Sequence, residues 1–211
     1  MKVSAIIPAF NEAERIAAVI DPLLSTPAVD EVVVVDDGST DGTSEAAARP
    51  GVRVVRLPEN RGKAAAMAAG VEASQGDVLL FLDADLVGLT PRHVEEMLQA
   101  YREGDVDVVI AVFRDGRVGT DLSQRIASFL SGQRVMPRAL WERARGVVED
   151  TEFGIETALA RLALREGWRK KKVILRGVSH VRKEEKRGFW RGFADRMVMY
   201  GHVARSFFRR L

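Results

Sequence analysis

Two acidic stretches stand directly behind apolar runs. Val32–Val35 leads into Asp36-Asp37-Gly38-Ser39-Thr40-Asp41-Gly42, and Val78–Leu82 leads into Asp83-Ala84-Asp85. If both runs are strands of one sheet, their carboxylates meet at one edge. Gathered there, they repel unless a cation or hydrogen-bond donors offset the charge. Two aspartates spaced i, i+2 both reach a hard cation such as Mg²⁺ or Mn²⁺ where the backbone turns between them. With no cysteine and three histidines in the chain, zinc is disfavoured. Asp36–Gly42 also reads as ordinary turn chemistry, which Asp and Gly supply in any loop. Asp83 and Asp85 resist that reading, because neither is needed to stop the strand before them.

The usual phosphate loops are missing. Behind the first apolar run stands Pro8-Ala9-Phe10-Asn11-Glu12, not a G-x-G-x-x-G, and no G-x-x-x-x-G-K-[ST] occurs. Asn60-Arg61-Gly62-Lys63 puts a basic pair before a helix, without that spacing. Dinucleotide enzymes of the Rossmann kind and P-loop NTPases are therefore disfavoured. A carboxylate-held metal usually accompanies substrate phosphates. The combination points to a nucleotide diphosphate bound through metal and loop contacts.

The elements that must position these residues alternate. Strands are expected at Val3–Ile7, ended by Pro8, and at Val32–Val35, Val52–Leu57, Val78–Leu82 and Val106–Val112. Helices are expected from Asn11, as cap, to Leu24; from Thr40 or Asp41 through Ala48; over Arg61–Ser74; and from Pro91, capped by Thr90, to Tyr101. Such alternation implies an α/β fold with a mostly parallel sheet, flanked by helices, its functional loops at the strands' C-terminal ends. Beyond Thr120 the pattern changes. Thr120–Leu130, Pro137–Arg143 and Thr151–Glu166 read as helices, Val173–Val178 as a late strand, and Phe189–Leu211 as one long helix.

The 211 residues, 46% hydrophobic and 29% charged, exclude intrinsic disorder and suit one domain with an appendage. The absence of cysteine excludes a disulfide scaffold and thiolate chemistry, and is consistent with a reducing cytosol. No apolar run approaches the roughly 20 residues that a bilayer needs. The net charge of +2 conceals an asymmetry: residues 165–211 hold 15 Lys/Arg against 4 Asp/Glu. A basic tail of this kind suits an anionic partner.

Four stretches carry a resemblance. Val3–Glu12, Val33–Gly42 (VVVDDGSTDG), Asn60–Ala64 (NRGKA) and Asp77–Leu86 (DVLLFLDADL) occur in the order and spacing of glycosyltransferase family 2, whose fold is called GT-A. Ser131–Arg134 and Glu149–Glu156 resemble, more loosely, the acceptor-side segments of short polyprenyl-phosphate sugar transferases. The resemblance implies a GT-A domain over residues 1–180, with nucleotide-sugar binding in 1–115 and acceptor binding in 116–180. It implies metal-dependent transfer of a sugar, with inversion, from a UDP- or GDP-linked donor. Pro8, Phe10 and Glu12 would line the base and ribose pocket, and Asp36 and Asp37 would contact the base or ribose. Lys63 would reach the base side or the diphosphate. Asp83 and Asp85 match the family's D-x-D, with Asp85 as direct ligand of Mg²⁺ or Mn²⁺ and His180 as a further ligand. Asp150, with Glu149, matches the acceptor base, although both also suit a helix N-terminus. Glu156, Arg117 and Arg134 would bind the acceptor or its phosphate. A lipid-phosphate acceptor is already an anion and needs no base.

The tail, residues 181–211, places Trp190, Phe193, Met197, Tyr200, Ala204, Phe207, Phe208 and Leu211 on one helical stripe beside many basic residues. It suits the cytoplasmic face of an anionic membrane, and equally a helix packed on its own domain or in a homodimer. Its aromatics follow the helical stripe rather than a stacking groove, so no nucleic-acid partner is expected. The acceptor is a lipid, a polyprenyl phosphate or a small molecule. Alternatives to a transferase are a sugar nucleotidyltransferase, which lacks its Gly-rich loop here, or a binding module without catalysis.

Overall fold

A computed structural model describes residues 1–113, 132–149, 159, 162–163 and 165–180. Strand β1 (Val3–Ala9) lies inside a seven-stranded sheet with β2 (Glu31–Asp36), β3 (Val52–Arg56), β4 (Val78–Phe81), β6 (Val108–Phe113), β7 (Arg134–Pro137) and β8 (Lys170–Leu175). The order is β3-β2-β1-β4-β7-β6-β8. The β1–β2, β2–β3, β1–β4 and β6–β8 pairs are parallel, and β7 is antiparallel to both β4 and β6. Helices α1 (Ile16–Leu24), α2 (Thr43–Ala47), α3 (Lys63–Ala73), α4 (Pro91–Glu103) and α5 (Arg138–Glu149) connect or follow these strands. A two-stranded sheet joins β5 (Leu86–Val87) to β9 (Ser179–His180). The chain forms one compact unit over Met1–Ser179 and a second over His180–Leu211; of the second, only His180 is described.

Strands β1, β4 and β6 are mostly buried and, Ser4 apart, apolar, as strands covered on both faces should be; β3 and β8, at the sheet's edges, carry charged residues. Side chains alternate between the faces. Ala5, Ile7, Val32, Val34 and Leu80 pack with Ile16, Val19, Ile20 and Leu23 of α1 and Val94, Met97 and Leu98 of α4. Ile6, Leu79 and Phe81 pack the other way, with Met67 and Val71 of α3 and Leu140, Trp141 and Ala144 of α5. Phe81 and Trp141 meet with ring centroids 5.0 Å apart.

Four expectations are corrected. Pro8 does not end β1, which continues to Ala9. Strand β4 stops opposite Ile6. Past that point β1 is an edge on that side, and the missing N–H of Pro8 costs no ladder bond. Helix α1 begins at Ile16 rather than behind Asn11. Asn11 has φ +55°, and its groups bond across to the β2 loop instead. Residues 134–137 form β7, so the helix expected from Pro137 starts at Arg138, after that strand. The late strand lies at Lys170–Leu175, somewhat earlier than Val173–Val178. The expected helices at Thr120–Leu130 and Phe189–Leu211 lie outside the described residues, as does most of Thr151–Glu166.

Arg138 closes one end of α3. Its guanidinium donates to Gly76 O at 2.7 Å, Val71 O at 2.9 Å and Ser74 Oγ at 2.7 Å. A cation beside the last carbonyls of a helix also favours the helix dipole. Arg138→Met is expected to lower stability by about 2 kcal/mol, read from urea unfolding, because three partly buried acceptors lose a charged donor.

Candidate functional site

The first turn after β1 is laced to the turn after β2. Asn11 N–H donates to Ser39 Oγ at 2.9 Å, and Thr40 N–H donates to Asn11 Oδ1 at 3.0 Å. Glu12 N–H donates to Thr43 Oγ1 at 2.9 Å, and Ala13 N–H to Asp41 Oδ2 at 3.0 Å. Glu12 is buried and lies 3.4 Å from Arg15 Nη1. Pro8 is half-buried opposite Val35. Phe10 is 44% exposed at the mouth of this turn, a large apolar ring left facing solvent.

Asp36 and Asp37 fasten loops. Asp36 is fully buried; it accepts from Ser39 N–H at 2.9 Å and from the Ser44 hydroxyl, with Arg56 Nε 3.8 Å away. Burial alone would push its carboxyl up, but the Ser39 and Ser44 bonds and the Arg56 guanidinium together hold it below the ordinary aspartate value. Asp37 accepts from Arg61 N–H at 2.8 Å and Gly62 N–H at 2.9 Å, which ties the loop before α3 to the end of β2. This segment is thus a brace between loops, not a solvated turn.

A lowered folded-state pKa has a definite sign. Stability from Asp36 is present above the unfolded aspartate pKa of about 4 and is lost as pH falls through the lower folded value. Asp36→Asn is therefore expected to be less stable than the unmodified protein at pH 7, with the gap narrowing below about pH 4. Urea midpoints at pH 7 and pH 3 check this; a gap independent of pH would refute it.

The second carboxylate group lies beyond β4. Lys63 Nζ, at the start of α3, is 2.7 Å from Asp83 Oδ1, and Gln133 Nε2 donates to Asp83 Oδ2 at 2.7 Å. Gly132 lies against the same carboxylate: a Cβ there would stand 2.6 Å from both oxygens and 2.7 Å from Lys63 Nζ. Asp83, Asp85 and His180 offer ligand atoms that all lie within 4.8 Å of one another. Two carboxylates and an imidazole suit Mn²⁺ or Mg²⁺, a cation that takes oxygen ligands and tolerates a nitrogen. The donor set therefore fits the metal that the sequence predicts.

The remaining expected residues are distributed as follows. Arg134 is 5% exposed and lines a small cavity with Val108, Ile110, Met136, Trp168 and Lys170. Glu149 ends α5, and its side chain lies outside the described residues, as do Arg117, Asp150 and Glu156. Sequence reasoning missed Ser44, Arg56 and Gln133 as partners of the acidic groups. Only Gln133 carried a signal, through its place in Ser131–Arg134.

The sequence matches the family model "Glycosyl transferase family 2" over residues 4–170. It is 35% identical over 122 residues to the glucosyl-3-phosphoglycerate synthase of Mycolicibacterium paratuberculosis, covering 53% of this chain and 37% of that protein. It is 38% identical over 100 residues to the dolichyl-phosphate beta-glucosyltransferase of Homo sapiens, covering 40% of this chain and 31% of that protein. The chain thus spans about a third of the length of these curated relatives. The structure is similar to that of glucosyl-3-phosphoglycerate synthase from Mycobacterium tuberculosis in complex with Mn²⁺, uridine diphosphate and glucosyl-3-phosphoglycerate. The TM-score is 0.69 at 27% identity, covering 85% of this chain and 72% of that one.

Proposed function

The chain belongs to glycosyl transferase family 2, and from that premise we propose that it transfers a sugar from a nucleoside-diphosphate sugar to a phosphate-bearing acceptor. The observation that carries this reading is the Asp83–Asp85–His180 group beside Lys63, next to the braced loops after β1 and β2. Asp83, Asp85 and His180 would hold Mn²⁺ or Mg²⁺, which offsets the charge that develops on the departing diphosphate. Lys63 adds a cation at the same place. Asp36 and Asp37 keep the nucleotide-side loops in register, with Pro8, Phe10 and Glu12 on the wall of the pocket. The similarity to a structure holding uridine diphosphate supports a uridine donor.

The first acceptor to try is a small phosphorylated carboxylate, since the phosphoglycerate synthases match most of the described fold. Asp150 or Glu149 would then take the acceptor's hydroxyl proton. The second reading is a polyprenyl phosphate, which needs no base. It is favoured by the basic residues 165–211 and by relatives whose names specify dolichyl, dodecaprenyl and undecaprenyl phosphates. That reading places the chain at an anionic membrane surface. No described helix is long and apolar enough to cross a membrane.

The test follows uridine diphosphate release from UDP-glucose with Mn²⁺, offering 3-phosphoglycerate in one arm and a short polyprenyl phosphate in vesicles in the other. Acceptor-dependent release in either arm supports transfer and selects the acceptor. Absence of release and of donor binding, with GDP-sugars as well, would overturn the reading.

A further inference from the structure

We propose that Gln133 is a positioning residue for the Asp83 carboxylate. The inference rests on the metal-and-nucleotide reading above. Gln133 is fully buried, and its amide donates to Asp83 Oδ2 at 2.7 Å across 50 residues of sequence. Its main chain is held in turn, since Ala111 N–H donates to Gln133 O at 3.0 Å at the head of β7. The other oxygen, Oδ1, carries the Lys63 ammonium at 2.7 Å. Gly132 completes the seat, because a Cβ there would stand 2.6 Å from both carboxylate oxygens. The carboxylate is therefore held by Gln133, which stands just before the antiparallel strand β7, with Gly132 close against it.

The residue type matters. A neutral amide fixes the rotation of the carboxylate while leaving its negative charge available to Lys63 and a divalent cation. An Arg or Lys at this position would neutralise that charge and compete with the metal. Partners that orient a metal-binding carboxylate typically change metal affinity by 10–100-fold when removed.

The experiment titrates Mn²⁺ into the full chain and into Gln133→Met and Gln133→Asn, reading binding by water-proton relaxation and folding by circular dichroism and urea midpoint. Met keeps the length without the donor; Asn keeps an amide that falls short of Asp83, so it serves if the Met variant does not fold. Both are expected to raise the Mn²⁺ dissociation constant about tenfold. A merely structural role would shift the urea midpoint and leave Mn²⁺ affinity alone, which would overturn the proposal. If the unmodified chain itself binds no Mn²⁺, the metal reading falls and this inference with it. If it binds and both variants bind equally well, only the role of Gln133 falls.

Discussion

Asp85→Asn is expected to lower nucleoside-diphosphate release by about a thousandfold, because a catalytic metal supplies several kcal/mol of charge stabilisation and each 1.36 kcal/mol is tenfold in rate. The substitution keeps the shape of the side chain and removes one negative charge. Asp83 also carries the Lys63 ion pair and the Gln133 bond, so its loss disturbs three things at once. Asp85 is half-buried beside Asp83 and His180. The assay follows release across a Mn²⁺ series. The half-saturating Mn²⁺ concentration should rise steeply. Unaltered release at low Mn²⁺ would remove Asp85 from the metal site.

Gly38→Ala is expected to destabilise the fold by about 3 kcal/mol, from backbone strain and overpacking together. For a chain of this size that lowers Tm by roughly 6–12 °C. Gly38 has φ +72°, and a Cβ there would lie 2.5 Å from the Glu59 carbonyl carbon and 2.7 Å from Asn60 N. These are backbone atoms, so no side chain can swing aside. The strand-end brace would have to open, since Asp37 holds Arg61 and Gly62 through the same contact of two loops. Donor affinity should fall with stability, because Lys63 follows Gly62 directly. Gly42→Ala is the control. It has φ +89°, but its nearest neighbour is Glu45 Oε2 at 3.9 Å. It should cost only the strain of a left-handed residue, about 1 kcal/mol. Equal losses in the two variants would show that conformation, not crowding, governs Gly38.

The acidic pair was legible because its signal is local. An apolar run followed at once by Asp83-Ala84-Asp85 places two carboxylates at a strand's end whatever the strand's neighbours are. The same holds for helix α4, whose cap Thr90 and first residue Pro91 act within one turn. Asp36–Gly42 was legible as a turn or a site, but not as a brace. Its partners Arg61 and Gly62 lie some two dozen residues away. Strand β7 was missed for a related reason. Four residues opening on a buried arginine show neither a long apolar run nor clean alternation.

By itself, the sequence determined the alternation of strands and helices from β1 to β6, apart from the short β5, and the chemical types of the acidic residues. Periodicity and capping act over a few residues and need no knowledge of the sheet. The tertiary structure decided which distant groups meet. By inserting β7 antiparallel between β4 and β6, it brings Gly132 and Gln133 onto Asp83. Sheet order depends on which apolar faces bury best together, a long-range choice that local spacing does not encode. The pairing of Asp83 with Asp85 is thus a property of the sequence, and the orientation of Asp83 is a property of the fold.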